Sequence, residues 1–300
     1  MHATDHSVTA ADLHSARDGA QSDVGPAGGA AAGGVSSNEP ARNFFSTPAT
    51  AIRYAAHRPR SQSRVLELVA KWLKEELPVG RALDVGCGTG HSTVALVPYA
   101  RHITGIDCSA EMLAQAPRHA SIEWRKGYAE ALPFRRESFD LVTVSAAYHW
   151  FDHERFLHEA ARVLRPAGWL VLYKAGSMGR AVEEPQFERW RQETLRARYP
   201  KVARNHVPLT AAAAAAVGFG EAMRETVAFR QSYTLEAYIE NLLTHSSVIR
   251  VVDHTRAAIG AEREWLRGEL AGFFPGGRAE FTHEAQYHVL RRMRDQPAGD

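Results

Sequence analysis

The chain has 300 residues, 45% of them hydrophobic and 23% charged, with a formal net charge of +2. That balance fits one large globular domain that buries its core without disulfide staples. Two cysteines, Cys87 and Cys108, exclude a disulfide scaffold and a four-cysteine zinc site. No uncharged apolar run reaches the roughly 18 residues of a membrane span, and so small a net charge gives no case for nucleic-acid binding. With neither an export signal nor an Arg-rich transit pattern at the N-terminus, the expected location is cytoplasmic.

Residues 1–40 hold six glycines, nine alanines and no aromatic residue, and carry a net charge of −4, leaving +6 on the rest. Such a segment buries too little apolar surface to offset its ordering entropy, so a disordered arm is expected. Arg64 to Leu77 predicts an amphipathic helix, with Val65, Leu68, Val69, Trp72, Leu73 and Leu77 at 3.6-residue spacing. Ala82–Val85 predicts a short strand running into Gly86, Gly88 and Gly90, and His91–Tyr99 a helix. Strands are then expected at Ile103–Ile106, Ile122–Trp124, Leu141–Ser145 and Trp169–Tyr173. Ser109 and Asp152 are placed to cap the helices that follow them, the second running to Leu164. This alternation of β and α predicts an α/β doubly wound, Rossmann-like mixed sheet. Beyond Ala175 the pattern predicts a charged helix over 181–204, an alanine-rich helix at 211–217, a strand at 223–233, helices at Leu235–Val248 and Ala257–Phe273, and a last strand at Phe281–Leu290.

Ligands of such sheets bind beyond the carboxyl ends of the strands. The stretch Leu83-Asp84-Val85-Gly86-Cys87-Gly88-Thr89-Gly90 lies at one such end. Glycines there let backbone approach a ligand, and the next helix aims its first amides at it. The spacing is G-x-G-x-G, with His91 where a dinucleotide fingerprint has its third glycine. Asp107 ends the next strand, where a carboxylate can hold both ribose hydroxyls of an adenosine ligand.

The segment Leu83–Gly90 resembles motif I of class I S-adenosylmethionine (SAM)-dependent methyltransferases. The resemblance continues through Gly105-Ile106-Asp107, Gly127 to Phe134, Phe139-Asp140-Leu141-Val142, His149-Trp150-Phe151 and Ala161 to Pro166, over roughly residues 44–175. It points to the methyltransferase type 11 group and a small-molecule branch similar to trans-aconitate methyltransferase, whose Tyr-x-x-x-Arg-Pro segment Tyr54 to Pro59 matches in shape. What the resemblance implies is a disordered arm at 1–40, a SAM-binding core at 41–175, a helical lid with a returning strand at 176–250, and a C-terminal helix and last core strand at 251–300. It implies that Gly86, Cys87, Gly88 and Gly90 wrap the methionine part of SAM and that Asp84 orients this loop. Asp107 would hold the ribose, Cys108 and Met112 would flank the adenine, and Ala129 and Glu130 would edge it. Ser145 would lie near the methionine moiety, Arg58 would pair with its carboxylate, and Tyr54 would pack over it. Many relatives carry an acid where Tyr128 stands, and that contact to the adenine amino group is missing here.

Just beyond the fourth strand, His149 is the candidate general base, with Tyr148, His149 and Trp150 as acceptor-pocket residues. The cysteines lack the preceding proline of cytosine-C5 methyltransferases, and Ser145-Ala146-Ala147-Tyr148 stands where nucleic-acid amino-methyltransferases carry Asn/Asp-Pro-Pro-Tyr. No histidine spacing with an accompanying acid suggests a metal, and none is expected. The basic stretch 189–204 reads as a solvated helix face or as an attractor for an acidic substrate or RNA. The expected function is methyl transfer from SAM, with S-adenosylhomocysteine as product, to a small molecule, with O-methylation of a carboxylate or hydroxyl favoured and no nucleic-acid or membrane partner. A non-catalytic SAM-binding regulator and a nicotinamide-dependent oxidoreductase are the alternatives.

Overall fold

The computed structural model describes residues 44–176, 178–181, 185–255 and 259–294. The arm expected at 1–40 lies outside them.

One eight-stranded sheet organises the fold, in the order β3-β2-β1-β4-β5-β8-β6, with β7 on the other edge of β8. The strands are β1 (Val79–Val85), β2 (Ala100–Asp107), β3 (Ile122–Lys126), β4 (Phe139–Ser145), β5 (Leu164–Ala175), β6 (Arg180–Ala181), β7 (Phe219–Thr234) and β8 (Arg278–Arg292). The first five run parallel, and β8 runs antiparallel between β5 and β7. Every predicted core strand is present; β2 and β5 gain residues at both ends, β1 and β4 at the start, and β3 at the end.

Alternation along β1 and β4 builds two cores on opposite sheet faces. Leu83, Val85, Val142 and Val144 pack with Phe156, Leu157, Ala160 and Val163. Ala82 and Leu141 pack with Val65, Leu66, Val69 and Leu73. The helices supplying those stripes begin at α1 (Pro48–His57) and α2 (Gln62–Leu73), and continue with α3 (His91–Ala95), α4 (Ala110–Leu113) and α5 (His153–Val163). Ser109 and Asp152 cap α4 and α5 by accepting from the amides of Met112 and Arg155. The predicted helix 91–99 stops at Ala95, shortly before Pro98, which has no N–H to continue the ladder.

A third core belongs to the cap. It gathers Phe187, Trp190, Tyr199, Tyr238, Leu242, Val248, Leu266 and Phe281. Its helices are α6 (Pro185–Trp190), prolonged by a π turn Arg191–Leu195 and a last turn Arg196–Arg198; α7 (Ala211–Ala216) on the sheet side; then α8 (Leu235–Leu242), α9 (Ser246–Thr255) and α10 (Ile259–Leu270). The charged helix expected to reach 204 ends at Tyr199, before Pro200. The lid boundary expected at residue 250 falls inside α9, and α10 packs in the cap core with α8.

The single helix predicted over Leu235–Val248 is broken into α8 and α9. Its backbone acceptors are taken elsewhere: Thr244 Oγ1 donates to Asn241 O at 2.6 Å, and Arg53 Nε donates to Leu243 O at 3.0 Å. Arg53 is buried and also pairs with Asp253 at 3.1 Å, which accepts from the Thr50 hydroxyl too. Helix α1 is thereby fastened to the break and to α9. Asp253→Ala leaves a buried guanidinium without its counter-charge, and we expect a loss of about 3 kcal/mol in urea unfolding. An unchanged midpoint with an unchanged slope would mean that the pair does not hold α1.

Candidate active site

Parallel strands β1, β2, β4 and β5 all end on one edge, and the loops that leave them enclose a cavity of about 330 Å³. After Val85 the chain turns through Gly86, Gly88 and Gly90, all at positive φ. A Cβ on Gly86 would sit 2.6 Å from the Ala147 side chain, and one on Gly90 2.5 Å from the Trp124 ring. Gly86 and Gly88 line the cavity, whereas Gly90 packs against Trp124 away from it.

Beneath the loop lies Asp84, with no exposed surface. It accepts hydrogen bonds from Ser92 (2.6 Å), Thr93 (2.7 Å) and Thr143 (2.9 Å). One carboxylate thus joins β1, the first turn of α3 and β4. Asp107 is the next anchor. Its Oδ2 accepts from Gly88 N and its Oδ1 from Ser109 N, both at 2.8 Å. Burial raises its pKa while those amides oppose the rise. The glycine loop and the α4 cap therefore converge on a carboxylate that faces the cavity.

The acids and cations of the cavity wall come from different parts of the fold. Asp107 and Glu130, with Cys108, Met112, Tyr128 and Ala129, end or follow β2 and β3 on one side of β1. Lys174 belongs to β5 on the other side of β1, and Arg58 and Arg204 line the cavity with His149 and His245. Arg58 lies over Tyr54 at 5.4 Å and donates to Thr244 Oγ1 at 3.3 Å. Arg204 lies over Trp150 at 4.9 Å and donates to Ser246 Oγ. None of these three cations is paired with a carboxylate among the described residues. Burial, Arg204, His206 and Lys174 push His149 down to about 3, so its imidazole is neutral and only weakly basic.

Of the residues singled out from the sequence, Tyr54, Arg58, Gly86, Gly88, Asp107, Cys108, Met112, Ala129, Glu130, Ser145, His149 and Trp150 all line this cavity. Asp84, Cys87, Gly90 and Tyr148 do not. Cys87 is buried in the loop with its thiol pKa pushed up by burial. Tyr148 stacks on His153 with ring centroids 3.8 Å apart and packs against Phe151 and Phe156. The sequence reading missed Lys174, Arg204, Thr244, His245 and Ser246. Lys174 follows from the strand-end rule, being the residue after the predicted end of β5. Arg204 belongs to the basic stretch already noted. His245 and Ser246 gave no signal, since they lay inside a predicted helix. Among the described residues no cluster of His, Cys, Asp or Glu is arranged to hold a metal ion, and no helix is long and apolar enough to cross a membrane.

Comparison with known proteins places this geometry. Residues 83–172 match the family described as the methyltransferase domain. Residues 83–172 form a methyltransferase domain. The chain is 37% identical over 99 residues to the uncharacterized methyltransferase YcgJ of Bacillus subtilis, an alignment covering 31% of this chain and 39% of that protein. It is 39% identical over 90 residues to a malonyl-[acyl-carrier protein] O-methyltransferase of Pectobacterium atrosepticum, covering 29% of this chain and 36% of that one. The chain spans less than half the length of the curated relatives it matches. A solved structure described as a type II methyltransferase from Anaeromyxobacter dehalogenans shares the fold, with a TM-score of 0.60, 24% identity, and coverage of 80% of this chain and 98% of that one.

Burial lifts Asp84 from its ordinary 3.8 to about 6. Between those values the unfolded chain releases this proton while the folded methyltransferase domain keeps it. Stability therefore falls as pH rises through the window, by about 3 kcal/mol across it, and the contribution is level above. Urea unfolding from about pH 5 to about pH 7 should show the wild type losing about 1 kcal/mol more than Asp84→Asn. Parallel profiles for the two would place the titration elsewhere.

Proposed function

We propose that the protein transfers the methyl group of SAM to a carboxylate of a small acidic molecule, giving a methyl ester. The observation that carries this reading is the charge division of the cavity. The acids that end or follow β2 and β3 suit ribose hydroxyls and an adenine amino group, and the three cations suit anions.

The residues present fit SAM. Asp107 faces the cavity, fixed by two amides, and can accept from ribose hydroxyls. Met112 and Cys108 border the region of the base, and Ala129 and Glu130 edge it. Arg58 is placed to meet the methionine carboxylate, with Tyr54 alongside. When bound, SAM supplies an electrophilic methyl group on sulfonium sulfur.

Arg58 answers one carboxylate, which leaves Lys174 and Arg204 for the acceptor. Their role is to orient one carboxylate oxygen for in-line attack. Atoms balance without a proton: the oxygen–methyl bond forms as the sulfur–methyl bond breaks, and its electron pair stays on sulfur. A carboxylate is already ionised near neutral pH, so no base is required. His149, neutral and weakly basic, serves as a hydrogen-bonding wall of the acceptor pocket. Trp150 and Phe151 exclude water beside it. The aligned relative from Pectobacterium is named an O-methyltransferase, which supports oxygen as the acceptor atom.

Calorimetric titration with S-adenosylhomocysteine should show saturable binding, weakened about tenfold or more by Asp107→Ala. With methyl-labelled SAM and a panel of organic acids, label should enter a product that alkali hydrolyses to methanol. Lys174→Met should raise KM for the acid about tenfold. The rate should be flat from about pH 7 to about pH 8, above the Asp84 titration, and any fall below that range should persist in His149→Gln. Alkali-stable product, or a limb near the ordinary histidine pKa that His149→Gln abolishes, would refute the carboxylate reading.

A further inference from the structure

A second cavity, of about 520 Å³, opens beside the first, and Gly176, Arg204 and His245 are walls of both. Its lining is strongly basic. Arg180, Arg191, Lys201 and His206 join Arg204 there, against one acid, Glu284, which pairs with Arg180 at 3.1 Å. Arg191 is held by Glu188 at 2.7 Å. Lys201 and Arg204 have no carboxylate partner among the described residues.

Two independent features sit at the neck between the cavities. The first is His245, only 9% exposed, whose Nε2 is buried with no hydrogen-bond partner. An unpaired buried polar atom costs about 1–3 kcal/mol and calls for a ligand atom. Burial, Arg58, Arg204 and Arg191 hold this imidazole well below its ordinary pKa, so it is neutral and able to donate one N–H. The second is the start of α9. Ser246 borders the first cavity and Ser247 the second, and His245 O accepts from the amides of Val248 and Ile249. Those two amides are thereby taken, and the amides of Ser246 and Ser247, at the first two positions of a ten-residue helix, are the ones left to face the neck. They are at a helix start because α8 and α9 are separate helices, broken apart by the bonds to Leu243 O and Asn241 O.

We propose that the second cavity is a subsite for a second anionic group of the acceptor, a carboxylate or phosphate, seated at the α9 N-terminus between His245, Arg204 and Lys201. The acceptor is then a molecule with at least two acidic groups. One, in the first cavity, takes the methyl group; the other, across the neck, fixes its orientation and remains unmodified. A monoacid fills only one seat and leaves the His245 Nε2 unsatisfied. The first half of this statement rests on the methyl-ester reading above, whereas the anion seat itself does not.

The test uses inorganic pyrophosphate as the probe, titrated calorimetrically into the full chain with and without saturating S-adenosylhomocysteine. Binding should persist with S-adenosylhomocysteine present. It should weaken about tenfold or more in Arg204→Gln and several-fold in Lys201→Gln, as expected for lost charge-assisted hydrogen bonds. Arg196→Gln removes the same charge from an exposed position in the helical run that precedes Lys201 and Arg204, outside the cavity, and should bind like the wild type. Melting temperatures of the variants confirm that each is folded. No binding at millimolar pyrophosphate, or equal loss in Arg196→Gln and Lys201→Gln, overturns the subsite. Because the readout is anion binding, it stands or falls separately from methyl transfer. Failure of S-adenosylhomocysteine to bind would sink the proposed function and leave the pyrophosphate result intact.

Discussion

Asp84 is the constraint on which the site depends. Its carboxylate has no contact with solvent and no cation beside it; three hydroxyls answer it instead. Hydrogen bonds to a charged group contribute roughly 1.5–3 kcal/mol each, while burying the charge costs several. The raised pKa says that desolvation wins. What the arrangement secures is position rather than stability. Ser92 and Thr93 set the first turn of α3, Thr143 sets β4, and the glycine loop between them has one path. That path delivers Gly88 N to Asp107, and Asp107 in turn orders Ser109 and the start of α4.

A second pair does for the cap what Asp84 does for the sheet. Arg53 binds Asp253 and the carbonyl of Leu243, across 200 and 190 residues of sequence. The first contact falls beyond, and the second on, a helix that local sequence would have left continuous over Leu235–Val248. By taking the Leu243 carbonyl, Arg53 helps to end α8 and lets α9 start afresh at the mouth of the site. The same helix α1 carries Tyr54 and Arg58 onto the cavity wall. A single fastening therefore sets two walls, one from the N-terminal helix and one from the cap.

The parallel half of the fold was legible because its strands are apolar runs bounded by Gly, Pro and capping residues. Their ends were not. Arg101, His102, Arg125 and Lys126 extend β2 and β3 as half-exposed or exposed polar residues that carry no strand signal of their own. The glycine loop, Asp107 and Ser145 were readable from strand ends, whereas Gly90 shows the limit of a motif: its conformation is required by Trp124, a residue of β3 that no spacing rule connects to it. Tyr148 reads as a pocket residue by its place after β4; its ring stacks on His153 and packs on Phe156, and it lines a neighbouring cavity that shares His149 and Lys174 with the first. His245 lay beyond reach for the reason already given: the break that exposes it is made by a residue 190 positions away.

The cations of the cavity argue for their own ligand. Arg58 and Arg204 repel each other, and both help to keep His245 neutral. Packing does not require the cations: an apolar side chain at Lys174 would extend β5 equally well. An acceptor without charge would gain nothing from three cations and would have to tolerate their desolvation. On the function proposed above, the methionine carboxylate of SAM answers one of them and the acidic groups of the acceptor answer the others, so charge would select the acceptor before the shape of the pocket is considered.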